Sequence, residues 1–189
     1  GFYAEAWPLL ICLGLRSGEL CGLRRGDIDL DAATLTIAQD VALIDGVPTI
    51  DTPKTEHSHR TLPIPRALIP ALRRHADALE RRERRHSAIA PTFWPGRGMR
   101  LMQPTSLRHA LKRLTDATKL PPVTTHQLRH TCGALLTDAG CPHDIRRAIL
   151  GHSGDVTEHY SPPSPETMRP YVEAVYAAVF GADAARRVG

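Results

Sequence analysis

With 189 residues, 42% of them hydrophobic and 23% charged, the chain is long enough to bury a core as one globular domain, which excludes a disordered tail. The longest apolar run, residues 6–15, contains Pro8 and ends at Arg16, well short of the roughly 20 residues that a membrane-spanning helix needs. The net charge of +4 and the pI of about 9.1 favour a polyanionic partner such as nucleic acid, without requiring one.

The start of the chain and its cysteines lead to an expected location. There is no basic N-terminal segment and no initiator methionine, so we expect no cleavable signal, a cytoplasmic location and an origin as an excised piece of a longer protein. The 4 cysteines form no CxxC pair, which favours reduced thiols.

The first half of the chain predicts a buried helix and then a small sheet. Residues 3–15 form the helix, and helical spacing restarts in RSGEL. Three segments rich in β-branched residues follow, with Asp45-Gly46 as a hairpin turn between the first two. They predict a three-stranded antiparallel sheet from residues 33–44, 47–52 and 59–64.

The rest of the chain predicts helices. Residues 65–87 begin with proline and carry an apolar face of Leu68, Leu72, Ala76 and Leu79, while the arginines in 81–85 suit a solvated face. Three further helices are expected at 143–150, at 166–180 and at 104–117, the last with Leu107, Leu111 and Leu114 inward. Another starts at Thr124 or Thr125 as its cap and stops at Gly140. The pattern predicts a mainly α-helical α+β domain.

The segment THQLRHT places His126 and His130 four residues apart on one helix face. A zinc site is disfavoured, because Gln127 replaces the glutamate that a zincin needs and Arg129 puts a permanent cation on the same face. His130 alone suits a buried core histidine. A guanidinium beside an imidazole suits an anion such as phosphate best.

Further candidate phosphate ligands lie in three other motifs. GLRSGEL holds Arg16 and Glu19, TPKTEHSHRTLPIP holds Lys54, and LGHSGDVTEHY holds His152 and Tyr160. Each has an ordinary alternative as a helix-end charge or a surface residue. Their order and contexts together make a pattern.

That pattern resembles the tyrosine recombinase (phage integrase) family over nearly the full chain. The resemblance implies that Arg16 and Arg129 clamp a phosphate, with His126 and His152 as the site histidines. It implies that Lys54 is the hairpin lysine, Tyr160 the nucleophile, and Glu19 a supporting acid. It also implies the family's catalytic-domain fold over residues 1–189, with the N-terminal core-binding and arm-binding domains absent.

The implied function is site-specific DNA recombination, integration and excision for a mobile genetic element, through a 3′-phosphotyrosyl intermediate. The partners would be a double-stranded DNA attachment site and other protomers in a tetrameric synapse, in the nucleoid and away from membranes, with no metal or cofactor. A type IB topoisomerase-like relaxing enzyme and a noncatalytic DNA-binding regulator are the alternatives. Breaking a DNA phosphodiester puts growing charge on its nonbridging oxygens, and preorganised donors aimed at those oxygens stabilise that charge.

Several points stay open in this comparison. Only 7 residues separate His152 from Tyr160, one fewer than relatives commonly have. Tyr171 and Tyr176 have the spacing of structural residues on the final helix, which either packs on its own domain or passes to a neighbouring protomer. His57 and His59 are expected to be ordinary hairpin residues, and the isolated chain is expected to be a monomer that binds DNA weakly.

Overall fold

A computed structural model describes residues 3–51, 59–86, 90–151 and 162–181. Within these residues the helices are α1 (Ala6–Leu13), α2 (Ser17–Gly22), α3 (Ile69–Glu83), α4 (Pro104–Thr118), α5 (Thr125–Asp138), α6 (His143–Leu150) and α7 (Pro165–Phe180). The strands are β1 (Ile28–Asp29), β2 (Thr34–Ile37), β3 (Asp40–Ile44), β4 (Val47–Asp51) and β5 (Arg60–Pro63). In this part of the chain, no helix has both the length and the apolar character needed to cross a membrane. The expected mainly helical α+β fold is confirmed.

Helix α1 is the centre of the core, as its apolar sequence predicts. Leu9, Leu10 and Leu13 are fully buried, and the helix packs against α5, α7 and α2. It ends at Gly14, whose φ of 58° is a left-handed conformation that glycine adopts without the strain of a side chain. The turn at Gly14 directs Leu15 into the core and places Arg16 at the start of α2.

The small three-stranded antiparallel sheet is confirmed, but its strands differ from those predicted. Its order is β1-β2-β5, with Leu35 opposite Leu62, while β3 and β4 pair separately as a hairpin around Asp45-Gly46. Strands β2 and β5 alternate buried and less buried positions and therefore lie on the core. Because β3 and β4 pair only with each other and lie outside the three-stranded sheet, Leu43, Ile44 and Val47 of this hairpin are exposed.

Helices α3 and α4 cover the core with one apolar face each. On α3, Leu68, at the preceding 3-10 turn, Leu72 and Leu79 are buried as predicted. On α4 the prediction was wrong for Leu114, which is 43% exposed, while Thr115 is buried. The buried stripe advances in steps of four residues from Leu107 to Thr115, so Leu114 falls at its edge near the exposed end of the helix.

Helices α5, α6 and α7 form the second half of the core. Thr124 caps α5 in a reciprocal pair with Gln127: its hydroxyl accepts the Gln127 N–H at 3.1 Å, and the amide oxygen of Gln127 accepts its N–H at 2.8 Å. Helix α7 packs on its own domain, against α1, α5 and β5, with Val172, Val175 and Tyr176 buried. The sequence left two arrangements open for this helix, and in the structure of the single chain it packs within its own domain.

Candidate active site

The structure describes part of the set of site residues that the sequence predicts. Arg16, Glu19, His126 and Arg129 lie within the described residues. The remaining predicted residues, Lys54, His152 and Tyr160, lie outside them, and so does His57. His59 is exposed at the start of the segment that leads into β5.

Arg16 occupies the position just before the first turn of α2, and Glu19 lies in that turn. The Glu19 carboxylate accepts the Arg16 backbone N–H at 2.8 Å on Oε2 and the Arg16 Nη1 at 2.9 Å on Oε1. Glu19 therefore caps the backbone N–H of Arg16 at the start of the helix and also fixes the guanidinium of Arg16. The Arg16 side chain remains 46% exposed, whereas that of Glu19 is only 4% exposed.

The sequence interpretation missed a second arginine that binds Glu19. Arg60, at the start of β5, donates from Nη1 to Glu19 Oε1 at 2.9 Å and from Nη2 to Oε2 at 3.0 Å. Arg60 shares the buried face of β5 with Leu62, two residues on, and Ile64 is buried beyond it. A charged residue at a buried position of an alternating strand was the available signal, because such a charge needs a partner.

Glu19 is ionised by this environment. Burial alone would raise the pKa of Glu19, but the charge and hydrogen bonds of Arg60, with those of Arg16, outweigh burial and lower it. The two carboxylate oxygens accept four hydrogen bonds, which satisfies every lone-pair direction of the group.

Arg129 reaches the same place from α5. Its Nη1 donates to the carbonyl of Gly14 and its Nη2 to the carbonyl of Leu150, and the residue is 8% exposed. Burial, and then repulsion from Arg16, lowers the pKa of Arg129 to about 10, so it remains a cation at neutral pH. Two of its five N–H donors are used in these two bonds.

Three arginines converge on the C-terminal end of α6. Arg60 Nε donates to the carbonyl of Ile149 at 3.2 Å, Arg129 to that of Leu150, and Arg16 Nη2 to that of Gly151 at 3.1 Å. The end of a helix normally presents free carbonyls and a partial negative charge, which would repel an anion. Here these carbonyls are occupied by cations, so the same end presents positive charge.

The resulting cluster suits an anion. Two guanidiniums, those of Arg16 and Arg60, bind the Glu19 carboxylate, and a third, that of Arg129, lies at the same end of α6, which leaves a formal excess of +2. Arg16 is the member with an accessible guanidinium, since Arg60 is 6% exposed on its side chain and Arg129 is buried. A guanidinium held in place by a carboxylate is a preorganised donor for phosphate oxygens.

His126 and His130 lie on the exposed side of α5. Their Nε2 atoms are 2.9 Å apart and their rings meet edge to face. In a hydrogen bond between these atoms, one Nε2 donates and the other accepts. The expectation that His130 is a core histidine was wrong, because it is exposed. His126 precedes the buried Arg129 by one turn.

The described tyrosines have structural surroundings. Tyr176 is 6% exposed, and burial raises its pKa. Tyr3 donates its hydroxyl to the carbonyl of Pro95 at 3.1 Å, and burial raises its pKa as well. Tyr171 packs against the core from the side of α7. The raised pKa of Tyr3 and of Tyr176 is the opposite of what a tyrosine activated for attack requires.

The comparison with protein families identifies the class of this domain. The model of the Phage integrase family matches residues 5–165, and the chain therefore belongs to that family. It is 30% identical over 156 residues to a "Tyrosine recombinase XerC-like" protein of Caldanaerobacter subterraneus, covering 74% of this chain and 40% of that protein. It is also 30% identical over 141 residues to the putative prophage phiRv2 integrase of Mycobacterium tuberculosis, covering 75% of this chain. The chain spans 37–40% of the length of these two relatives.

Solved structures agree with this membership. The Tn1549 transposon integrase in complex with transposon right end DNA superposes with a TM-score of 0.70 and 25% identity, covering 80% of this chain and 51% of that one. The XerA recombinase superposes with a TM-score of 0.63 over 95% of this chain and 55% of that one. At 17% identity, the second likeness shows the fold alone. The fold is that of a tyrosine recombinase catalytic domain.

Proposed function

We propose that residues 1–189 are the catalytic domain of a tyrosine-type site-specific DNA recombinase, an integrase that cleaves and rejoins DNA through a 3′-phosphotyrosyl intermediate. The observation that carries the proposal is the arginine cluster at the end of α6, in a chain that belongs to the phage integrase family. The complexes of the Tn1549 integrase with DNA support DNA as the substrate.

In this proposal the cluster binds the scissile phosphate. Arg16 contacts a nonbridging oxygen through its exposed guanidinium edge, and Arg129 contributes from its remaining N–H groups. The phosphodiester carries one negative charge, and the pentacoordinate species formed during cleavage carries two. A site with a fixed excess of +2 binds the second more strongly than the first, which is the requirement for catalysis.

The residues outside the described part complete the reaction in our proposal. The Tyr160 oxygen bonds to phosphorus, the bond from phosphorus to the 5′-oxygen breaks, and His152 donates to a nonbridging oxygen. The Tyr160 proton passes to His126, and Lys54 gives a proton to the leaving 5′-oxygen. Attack by a 5′-hydroxyl of another strand reverses the sequence. Because the phosphotyrosyl bond keeps the phosphoester energy, the cycle consumes no nucleotide cofactor.

The proposal extends to the partners of the whole protein. We propose that the full-length protein recognises a double-stranded attachment site through this domain and through N-terminal DNA-binding domains, and that four protomers assemble on DNA. It would act on DNA in the nucleoid of the cytoplasm. The prophage and ICEBs1 integrases among the relatives support a mobile element as its source. We expect phosphate contacts to dominate affinity, and binding to weaken steeply with salt.

The test is covalent trapping with the full-length parent protein. A duplex with its candidate attachment site carries a nick beside the cleavage position, so that the freed fragment diffuses away and the adduct accumulates on a denaturing gel. We expect wild type and Tyr171→Phe to form the adduct and Tyr160→Phe to form none. An adduct that persists in Tyr160→Phe would refute Tyr160 as the nucleophile.

The same preparation separates the alternatives. Joint molecules between two duplexes identify a recombinase, whereas relaxed plasmid without joint molecules identifies a topoisomerase-like enzyme. No adduct on any substrate, with DNA binding retained, identifies a noncatalytic regulator and refutes the proposal.

A further inference from the structure

Arg60 is buried, and each of its guanidinium nitrogens already binds the protein rather than facing a substrate phosphate. Its side chain is 6% exposed, and all three of its guanidinium nitrogens donate to the protein: Nη1 and Nη2 to Glu19, and Nε to the carbonyl of Ile149. This two-point pairing with a carboxylate fixes the plane of both groups. A role for Arg60 in catalysis must therefore pass through Glu19 or through the end of α6.

The path from Arg60 to the substrate-facing arginine is short. Arg60 binds both oxygens of Glu19, and the opposite side of the same carboxylate binds the backbone N–H and the Nη1 of Arg16. The orientation of the exposed guanidinium of Arg16 is therefore determined by a carboxylate that Arg60 holds. Without Arg60, Glu19 could rotate about its side-chain bonds while keeping Arg16 as its partner.

Arg60 also determines the charge that remains for an anion. With only Glu19, Arg16 and Arg129, the formal charges sum to +1, and Arg60 raises the sum to +2. Glu19 is thus compensated from the buried side, which leaves the charge of Arg16 available on the exposed side. Buried charge acts over a short distance with little screening by solvent.

The turn that follows α6 is built around this arginine. Gly151 has a φ of 63°, and a Cβ at this position would lie 2.6 Å from Arg60 Cζ. The carbonyls of Ile149 and Gly151, on either side of Leu150, are held by Arg60 and Arg16. The two arginines of the Arg16–Glu19–Arg60 chain therefore also fix the backbone at the end of α6, up to Gly151.

We propose that Arg60 is a positioning residue for DNA cleavage. It orients Arg16 through Glu19 and supplies the positive charge that neutralises the Glu19 carboxylate. The inference rests on the proposed function. Arg60 touches no substrate atom, so its loss should slow the chemical step while DNA binding persists.

The experiment uses single-turnover cleavage of the nicked substrate by the full-length protein. Arg60→Met is compared with Arg169→Met, which removes another buried arginine, one that donates to the carbonyls of Ala33 and Ile64 and lies on α7. Because a misplacement of about 1 Å costs about 100-fold in rate, we expect Arg60→Met to cleave about 100-fold more slowly. The DNA affinity of Arg60→Met should stay within about threefold of wild type. So should the cleavage rate of Arg169→Met, measured below the unfolding temperature of that variant.

A second substrate distinguishes positioning from general loss of structure. A methylphosphonate at the scissile position replaces one charged nonbridging oxygen with a methyl group and so removes the need for a guanidinium there. We expect the defect of Arg60→Met to shrink by about tenfold on this substrate, as that of Arg16→Met should, because both act on the same charge. An equal defect on both substrates, or wild-type cleavage by Arg60→Met, would overturn the inference.

A double variant guards against a protein that fails to fold. Glu19→Gln with Arg60→Met removes both charges of the buried Glu19–Arg60 pair, so neither partner is left charged without the other. We expect it to cleave within about twofold of Glu19→Gln alone, because residues that act through each other are not additive. A further full loss on adding Arg60→Met would overturn the inference. If wild type forms no adduct the proposed function fails as well, whereas an active wild type with an unaffected Arg60→Met refutes only the role of Arg60.

Discussion

The contact between Gly151 and Arg60 predicts a large stability loss for Gly151→Ala. The added Cβ would lie 2.6 Å from Arg60 Cζ and Nη1, where an ordinary contact needs 3.4 Å, so the guanidinium must move by about 0.8 Å. That movement disturbs its bonds to Glu19 and Ile149, and forcing atoms into a packed site costs about 1–3 kcal/mol. The left-handed backbone at φ 63° adds about 1–2 kcal/mol for alanine.

Gly140→Ala is the matched control, because Gly140 follows α5 with a φ of 70° and a Cβ there would meet nothing within 4 Å. It should cost only the backbone strain of about 1–2 kcal/mol. We expect urea unfolding followed by circular dichroism to give a loss for Gly151→Ala that exceeds the control by about 1–3 kcal/mol. Equal losses in the two variants would refute the argument that Arg60 fills the space above Gly151.

Three further predictions concern stability. Burial lowers the pKa of His75 below its ordinary 6.5, so the folded state favours the neutral ring. The free energy of unfolding should therefore fall as the pH drops below 6.5. In urea titrations, His75→Gln should reduce this dependence of the unfolding free energy on pH. Glu19 has a lowered pKa, so its stabilisation is present above the ordinary value of 4.5 and is lost as the pH falls through the folded pKa. The stability gap between wild type and Glu19→Gln should therefore narrow below pH 4.5, and a constant gap would contradict the assignment. On α4, Leu111→Ala should cost about 2–5 kcal/mol in thermal or urea unfolding and Leu114→Ala within about 0.5 kcal/mol, since only the first is buried.

The helices were predictable because each one carries strong local signals. Helix α6 has the predicted bounds, and α5 starts at a capping threonine and stops just before the predicted glycine. The pairing of β2 with β5 was not predictable from local pattern, because both segments and the intervening hairpin have strand propensity. What decides among them is the packing of β5 against α7, which no short stretch of sequence contains.

The candidate site was predicted in its members but not in its connections. Arg16, Glu19 and Arg129 were identified by their motifs, and the structure brings them to the end of α6. Arg60 was not predicted because its motif also contains Lys54, which matches the family pattern, and because its partner Glu19 is 41 residues away. Charge neutralisation between distant segments depends on the fold. The sequence shows it only indirectly, because Arg60 occupies a position of β5 whose side chains, like that of Leu62, are buried.

The fixed ends around residues 152–161 have a consequence for protein engineering. On one side of this segment, the carbonyl of Gly151 accepts a hydrogen bond from Arg16. On the other side, Pro162 lies just before α7, and Arg169 of that helix donates to the carbonyls of Ala33 and Ile64. Gly151 and helix α7 are therefore both held by contacts within the part of the chain that the structure describes. A chimaera that carries the corresponding segment of another integrase should enter and leave at the same places, so segments of different length can be exchanged as cassettes and compared on one scaffold.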